Sequence, residues 1–372
     1  MIAAKRLPYD KLLCGISLVL VGLGIIMVYS AGAIKAGEKY DDPFFFLKKQ
    51  LLWALIGVAV MIWAMNRDYR TFQSYALPLF LLSLLLLILV LVPSIGVKVN
   101  NARRWIRLFG ISFQPSELAK LSVVLLMARV LAKRADQEEQ FVKRFFLPLV
   151  LSGLACGLIV LQPHFGMVGI LLCAVLALCF VAGVRLSHLG IIGLVVAAVA
   201  VVFVLTHPYA LERVTTVLDR THASSKAVHQ TNQSIYALGP GGLLGRGLGD
   251  SYGKLGYLPE SHTEFIFAVV GEETGLVGSL LIVSLFGMFL WRGTRIALRA
   301  PDLFGTYTAI GITFIIVVQA VINFGVVVGL LPITGLPLPL VSFGGTSLVI
   351  TLFCIGILLS ISRYQTARGR IA

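Results

Sequence analysis

The chain has 372 residues, 58% of them hydrophobic and 13% charged, with a mean hydropathy of +0.93. Soluble domains carry about 25% charged residues, so an array of soluble domains is excluded and one assembly of apolar helices is indicated. The formal charge of +14 would suggest nucleic acid in a soluble protein, but here the basic residues punctuate hydrophobic runs, where anionic lipid and orientation in a membrane account for them.

A membrane-spanning helix needs about 20 apolar residues. Lys5, Arg6 and Lys11 precede the first such run, which is too long for a signal-peptide core. In chain order the hydropathy predicts spans near 11–33, 47–65, 75–93, 115–133, 146–162, 166–184, 189–206, 263–291, 306–330 and 345–362. The expected architecture is all-α: a polytopic integral membrane protein of about ten transmembrane helices, one domain over residues 1–372. Short loops rich in Lys and Arg, such as those holding Arg67, Arg70, Arg129, Lys133 and Arg292, place both termini in the cytoplasm by the positive-inside rule. Two outer loops stand apart, at about 94–114 and, between spans seven and eight, at about 207–262. The first holds Arg103-Arg104-Trp105-Ile106-Arg107 and the second a glycine-rich run from Gly239 to Gly249. A third outer stretch, Leu331 to Pro339, is rich in Pro and Gly and cannot be one unbroken helix. Cys14, Cys156, Cys173, Cys179 and Cys354 all fall in apolar runs, without metal-ligand or disulfide spacing.

Groups capable of chemistry gather at the outer ends of the spans. Ser261-His262-Thr263-Glu264 reads first as a capping box, with Ser261 accepting from the amide of residue 264, and second as a general base beside an imidazole at the water–lipid boundary. Glu272 and Glu273 lie within the next span, where an ionisable residue costs roughly 2.5–3.5 kcal/mol, so each requires a partner or a polar cavity. In Gln114-Pro115-Ser116-Glu117-Leu118-Ala119-Lys120, Pro115 suits a first helical turn, and Glu117 and Lys120 share a face as an internal ion pair or as a seat for a pyrophosphate. Arg103, Arg104 and Trp105 also fit an interface anchor. The glycine-rich run lacks the preceding strand that a dinucleotide site needs, which excludes nucleotide binding.

These segments together resemble the SEDS family of cell-wall polymerases, the group of FtsW, RodA and SpoVE. The resemblance rests on Ala102-Arg103-Arg104-Trp105-Ile106, Phe113 to Lys120, Gly241-Gly242-Leu243 with Gly245-Arg246-Gly247, Leu258-Pro259-Glu260-Ser261-His262-Thr263, Gly271-Glu272-Glu273, and Leu336-Pro337-Leu338-Pro339 with Ser342-Phe343-Gly344-Gly345. It runs nearly end to end, and Phe44 to Gln50 is more like the FtsW branch. The resemblance implies an inverting peptidoglycan glycosyltransferase that polymerises lipid II at the outer face of the bacterial cytoplasmic membrane, with a class B penicillin-binding transpeptidase and divisome membrane proteins as partners. The family's catalytic Asp position is Glu264 here, one methylene longer, and His164 stands where the family usually has Asp. On this basis Glu264 is the expected catalytic base. Arg103, Trp105, Lys120, Arg246 and His262 are expected around the pyrophosphates, and Glu117, Glu260, Glu272 and Ser342 in the cavity wall. A divalent cation, Mg or Mn, suits the chemistry of a departing diphosphate. Two other classes compete: a lipid II flippase, favoured by charges within spans, and a non-catalytic scaffold, favoured by the change at Glu264.

Overall fold

A computed structural model describes residues 8–99, 102–108, 111–135, 141–206, 211, 226–253 and 258–364. Among them each predicted span is a helix: α1 Lys11–Tyr40, α2 Phe45–Asn66, α3 Tyr69–Leu89, α4 Pro115–Lys133, α5 Phe141–Val160, α6 Phe165–Val181, α7 Leu186–Thr206, α9 Ile266–Leu298, α10 Leu303–Val327 and α11 Gly345–Ser362. An eleventh helix, α8 Lys226–Leu238, lies in the long outer loop. Seven of these, α1–α3, α7 and α9–α11, are long and apolar enough to cross a membrane, and the chain is a multi-pass membrane protein. The ten-span reading also requires α5 and α6, which are apolar but shorter over their described parts, and α4, which carries Glu117 and Lys120. α4 packs against α3, α5, α6 and α10 in the middle of the bundle, so its charges meet protein rather than lipid.

Short acidic residues set the helix starts on one face. Asp10 caps α1 by accepting from Leu13 N at 2.9 Å, and Asp302 caps α10 by accepting from Gly305 N at 2.8 Å. The same side chains tie neighbouring helix ends together. Asp10 pairs with Arg292 at the end of α9, and Asp302 accepts from Tyr69 Oη at 2.5 Å and from Arg70 Nε at 3.0 Å at the start of α3. This is the face that carries the basic short loops.

The opposite face contains two features that hydropathy does not indicate. Where a loop was expected at 94–114, three antiparallel strands form a small sheet in the order β1 Gly96–Val99, β2 Ala102–Leu108, β3 Ile111–Phe113. Beside it, residues 331–344 run through the protein without a helix, with Leu336, Leu338 and Val341 buried. Irregular backbone at membrane depth must find partners inside the protein, and α10 supplies them. Asn323 Nδ2 donates to Leu336 O at 2.9 Å and to Glu264 O at 2.8 Å, and Gln319 Nε2 donates to Pro337 O at 2.8 Å. Ser342 Oγ accepts from Leu338 N at 2.8 Å and donates to Thr263 O at 2.6 Å. Ser342 is thus a latch between this segment and the one that carries Glu264.

Candidate active site

The capping box is not formed. α9 starts at Ile266, after Glu264, and Ser261 Oγ donates to Ala31 O of α1 at 3.1 Å instead. Residues 258–265 form a string of turns ahead of the helix, closed by Phe265 N donating to Glu260 O at 3.3 Å. Glu260 takes a left-handed conformation there (φ 55°), accepts from Thr263 Oγ1 at 3.0 Å, and lies 3.8 Å from Lys35 Nζ. The turns are held on both sides: by α1 through Ser261, and by the unwound segment through Ser342, Asn323 and Phe343 N, which donates to His262 O at 3.0 Å. The backbone of Glu264 is fixed while its side chain stays half-exposed.

The half-exposed carboxylate faces an arginine. Gly335, with φ 77°, lies under both groups: Glu264 Oε1 and Arg104 Nη1 are 3.4 Å and 3.5 Å from where a Cβ on Gly335 would stand. That left-handed backbone conformation favours glycine. Arg104 is aimed by two carbonyls, with Nε donating to Gln162 O at 3.0 Å and Nη2 to Pro163 O. Gln162 is anchored in turn, its Nε2 donating to Leu87 O at 3.1 Å. Next to it, His164 Nδ1 lies 3.5 Å from Gln114 Nε2 and 3.4 Å from Ser116 Oγ. The missing acid at 164 is therefore replaced by a buried polar contact to the start of α4.

Strand alternation decides which arginine reaches the site. Successive side chains of β2 point to opposite faces, and Ala102 and Ile106 are buried against the protein on the same face as Arg104. Arg103 and Trp105 belong to the other face, opposite Lys98 and Val97 of β1. Arg104, rather than Arg103 or Trp105, is thus the β2 side chain that lies beside Glu264.

The other expected residues are each engaged by protein groups. His262 is a buried wedge, its ring 4.4 Å from that of Phe46 and 5.9 Å from that of Phe343. Burial foremost, and then the charge of Lys35, hold its imidazole down to about 4. It is neutral at physiological pH and packed against Phe46 and Phe343, so it offers no fixed positive charge there. An imidazole depressed below its unfolded value near 6.5 stabilises the fold fully above that pH, and the contribution is lost as pH falls toward 4. Thermal unfolding should weaken between about pH 6.5 and 4 by on the order of 3 kcal/mol, and His262→Phe should flatten that part of the profile; an unchanged profile would contradict the assignment.

Lys120 and Glu117 are both buried, their charged atoms 2.8 Å apart, and Lys120 Nζ aligns its hydrogen bond on Gln319 Oε1 at 2.6 Å. The close pair neutralises both charges, yet the Glu117 oxygens lack a well-aligned donor. The ammonium is engaged inside the bundle, where Lys120 supports Gln319 and, through it, the unwound segment. Lys120→Met should cost about 3–5 kcal/mol by stranding Glu117, and adding Glu117→Leu should restore most of it. A single variant as stable as wild type in thermal unfolding would refute this.

Glu272 is also structural. Its carboxylate accepts from Ser251 Oγ at 2.5 Å, Tyr252 N at 2.7 Å and Gly253 N at 3.2 Å, while Glu273 accepts from Ser30 Oγ at 2.6 Å. Both lie just before a break in α9 at Gly275 (φ 67°), about 14 Å along the helix from Ile266. The glycine-rich run docks into this break. Arg246 N and Gly247 N donate to Glu272 O and Glu273 O, each at 3.1 Å, and Leu276 N and Val277 N donate to Gly242 O and Leu243 O at 3.0 and 3.1 Å. The run restores the backbone bonds that the break removes, which explains its glycines without any ligand. Arg246 itself is exposed and stacks 4.0 Å over the Tyr252 ring.

Known proteins match the chain over nearly its whole length. The profile of the FtsW, RodA and SpoVE family, described as cell cycle protein, matches residues 10–367. Stage V sporulation protein E of Bacillus subtilis (strain 168) is 43% identical over 361 residues, covering 97% of this chain and 99% of the relative. A probable peptidoglycan glycosyltransferase FtsW of Geobacter sp. (strain M18) is 42% identical over 354 residues, covering 95% and 96%. Among solved structures, a chain described under structural coordination of polymerization and crosslinking by a peptidoglycan synthase complex superposes with a TM-score of 0.79 at 32% identity, covering 96% of this chain and 98% of that one. The rod shape determining protein RodA of Thermus thermophilus gives a TM-score of 0.72 at 31% identity, covering 97% and 99%. The chain belongs to the FtsW, RodA and SpoVE family of cell cycle proteins.

Proposed function

We propose that the protein is a peptidoglycan glycosyltransferase that polymerises lipid II into glycan strands at the outer face of the bacterial cytoplasmic membrane, in cell division, with both termini in the cytoplasm. The observation that carries this reading is the Glu264 carboxylate, half-exposed on a rigid turn with the Arg104 guanidinium beside it above Gly335. In the reaction the 4-hydroxyl of the acceptor disaccharide gives its proton to Glu264 while its oxygen attacks the anomeric carbon of the donor chain. The anomeric bond to the lipid diphosphate breaks with inversion, and the electron pair leaves on the diphosphate. Arg104 provides fixed positive charge next to that centre, where developing negative charge is stabilised most effectively. Its donors are already aimed by Gln162 O and Pro163 O, so little reorganisation is needed.

Among the described residues no three His, Cys, Asp or Glu side chains converge as a metal site. A divalent cation would therefore arrive on the diphosphate, held mainly by substrate oxygens and water, as Mg commonly is. A class B penicillin-binding transpeptidase is the proposed partner, because a structural relative is a chain of a synthase complex.

Little supports the transporter alternative. Glu117, Lys120, Glu272 and Glu273 are engaged by protein groups rather than lining an open polar path. A scaffold has no use for a carboxylate and a guanidinium set side by side above Gly335. The test is vesicles that carry fluorescent lipid II and the protein with its transpeptidase. A transferase converts lipid II into longer glycan, whereas a transporter moves it between leaflets at unchanged mass.

A further inference from the structure

On the face opposite the candidate active site, α3, α4 and the start of α10 surround a cavity of about 750 Å³ that opens to the surface. Its charged lining is Arg70, Arg129, Lys133 and Asp302. Asp302 is already engaged by Tyr69 Oη, Arg70 Nε and Gly305 N. Arg70 sits between that carboxylate and Asp68, whose Oδ2 is 3.9 Å from Arg70 Nη1. Arg129 and Lys133 are different. They lie four residues apart on the last turns of α4 and so share a face. Among the described residues neither is within ion-pair distance of a carboxylate: Arg129 donates one hydrogen bond, to Ser74 O at 3.3 Å, and Lys133 is exposed. A guanidinium has five N–H donors, so most of Arg129's remain open to the cavity.

We propose that this cavity is a binding site for a phosphate group, carried by an anionic phospholipid of the inner leaflet. Arg129 and Lys133 would hold the phosphate oxygens, with Ser74 at the wall and Leu303 and Phe304 against the glycerol portion. Three features favour this ligand. Basic pockets between membrane helices on the basic face suit anionic headgroups. The cavity is far larger than one phosphate, leaving room for the glycerol. Its two unmatched cations share one helix face, and the only lining carboxylate is already engaged by Tyr69, Arg70 and Gly305. The lipid would clamp α4 against α3 and α10 from the side opposite Glu264.

The test compares thermal unfolding of the full chain in phosphatidylcholine nanodiscs with and without phosphatidylglycerol. A ligand that binds only the folded state raises Tm, so phosphatidylglycerol should raise wild-type Tm by several degrees. The rise should vanish in Arg129→Gln/Lys133→Gln and persist in Arg185→Gln, an exposed arginine between α6 and α7. Should the double variant fail to accumulate, exposed Lys133→Gln alone should lose much of the rise. An equal rise from inorganic phosphate in phosphatidylcholine discs would keep the phosphate site and assign it to the free anion. No wild-type rise, a rise retained without both cations, or an equal loss in Arg185→Gln would overturn the proposal.

Discussion

Glu264→Gln should lower the rate of glycan formation by about 10²–10⁴-fold, the usual contribution of a positioned general base, while the folded protein is obtained in normal yield. The amide keeps the size of the side chain but cannot take the acceptor proton. Folding should be spared because the turn is held by contacts that do not use the Glu264 carboxylate, among them Asn323 to Glu264 O, Ser342 to Thr263 O and Phe343 N to His262 O. Glu264→Asp should retain most activity, since it preserves the carboxylate and only shortens its reach. Arg104→Gln should also reduce the rate, with a smaller loss, because it removes fixed charge beside the reacting centre and not the base itself. Initial rates at saturating lipid II check all three. A Gln variant as fast as wild type would place the base elsewhere.

Gly245→Ala should be strongly destabilising. Gly245 has φ 80°, and a Cβ there would strike the backbone of Glu273, whose carbonyl accepts from Gly247 N. Left-handed backbone costs a non-glycine residue about 1–2 kcal/mol, and each buried backbone bond left unmade costs about 1–3 kcal/mol. Undocking the run from the α9 break also removes the amides of Arg246 and Gly247 from Glu272 O and Glu273 O. The expected total is roughly 3–5 kcal/mol, a large part of the 5–15 kcal/mol that holds a typical domain together. Gly239→Ala is the matched control, since a Cβ there meets nothing within 4 Å, and it should stay within about 1 kcal/mol of wild type. Thermal unfolding in detergent separates the two. Equal stability of Gly245→Ala and Gly239→Ala would mean that the run does not splice the helix.

The spans were legible because run length against bilayer thickness is a local property: each predicted segment became a helix, with ends shifted by a few residues. The sheet was not legible. Arg103 to Arg107 offers three charges and no clean apolar alternation, and its pairing with Gly96–Val99 and Ile111–Phe113 is a tertiary fact. That miss propagated to the site. Had β2 been read as a strand, buried Ala102 and Ile106 would have selected Arg104 over Arg103 and Trp105. Glu264 itself was legible, as a carboxylate at an outer helix end, although the capping geometry attached to it was wrong because the helix begins at Ile266, four residues later than a Ser261 cap requires. The same sequence could not say whether Glu272 and Glu273 face substrate or protein. Their partners, Ser251 and Ser30, lie in other elements, and Gly275 gave no sign that α9 breaks until its backbone was seen.

The most direct measurement is product length on a gel, with purified protein, its transpeptidase and fluorescent lipid II, wild type beside Glu264→Gln. The account predicts a ladder of long glycan from wild type and unconverted lipid II from the variant. A ladder of equal intensity in both lanes, or none from wild type beside a partner shown to crosslink, would contradict it.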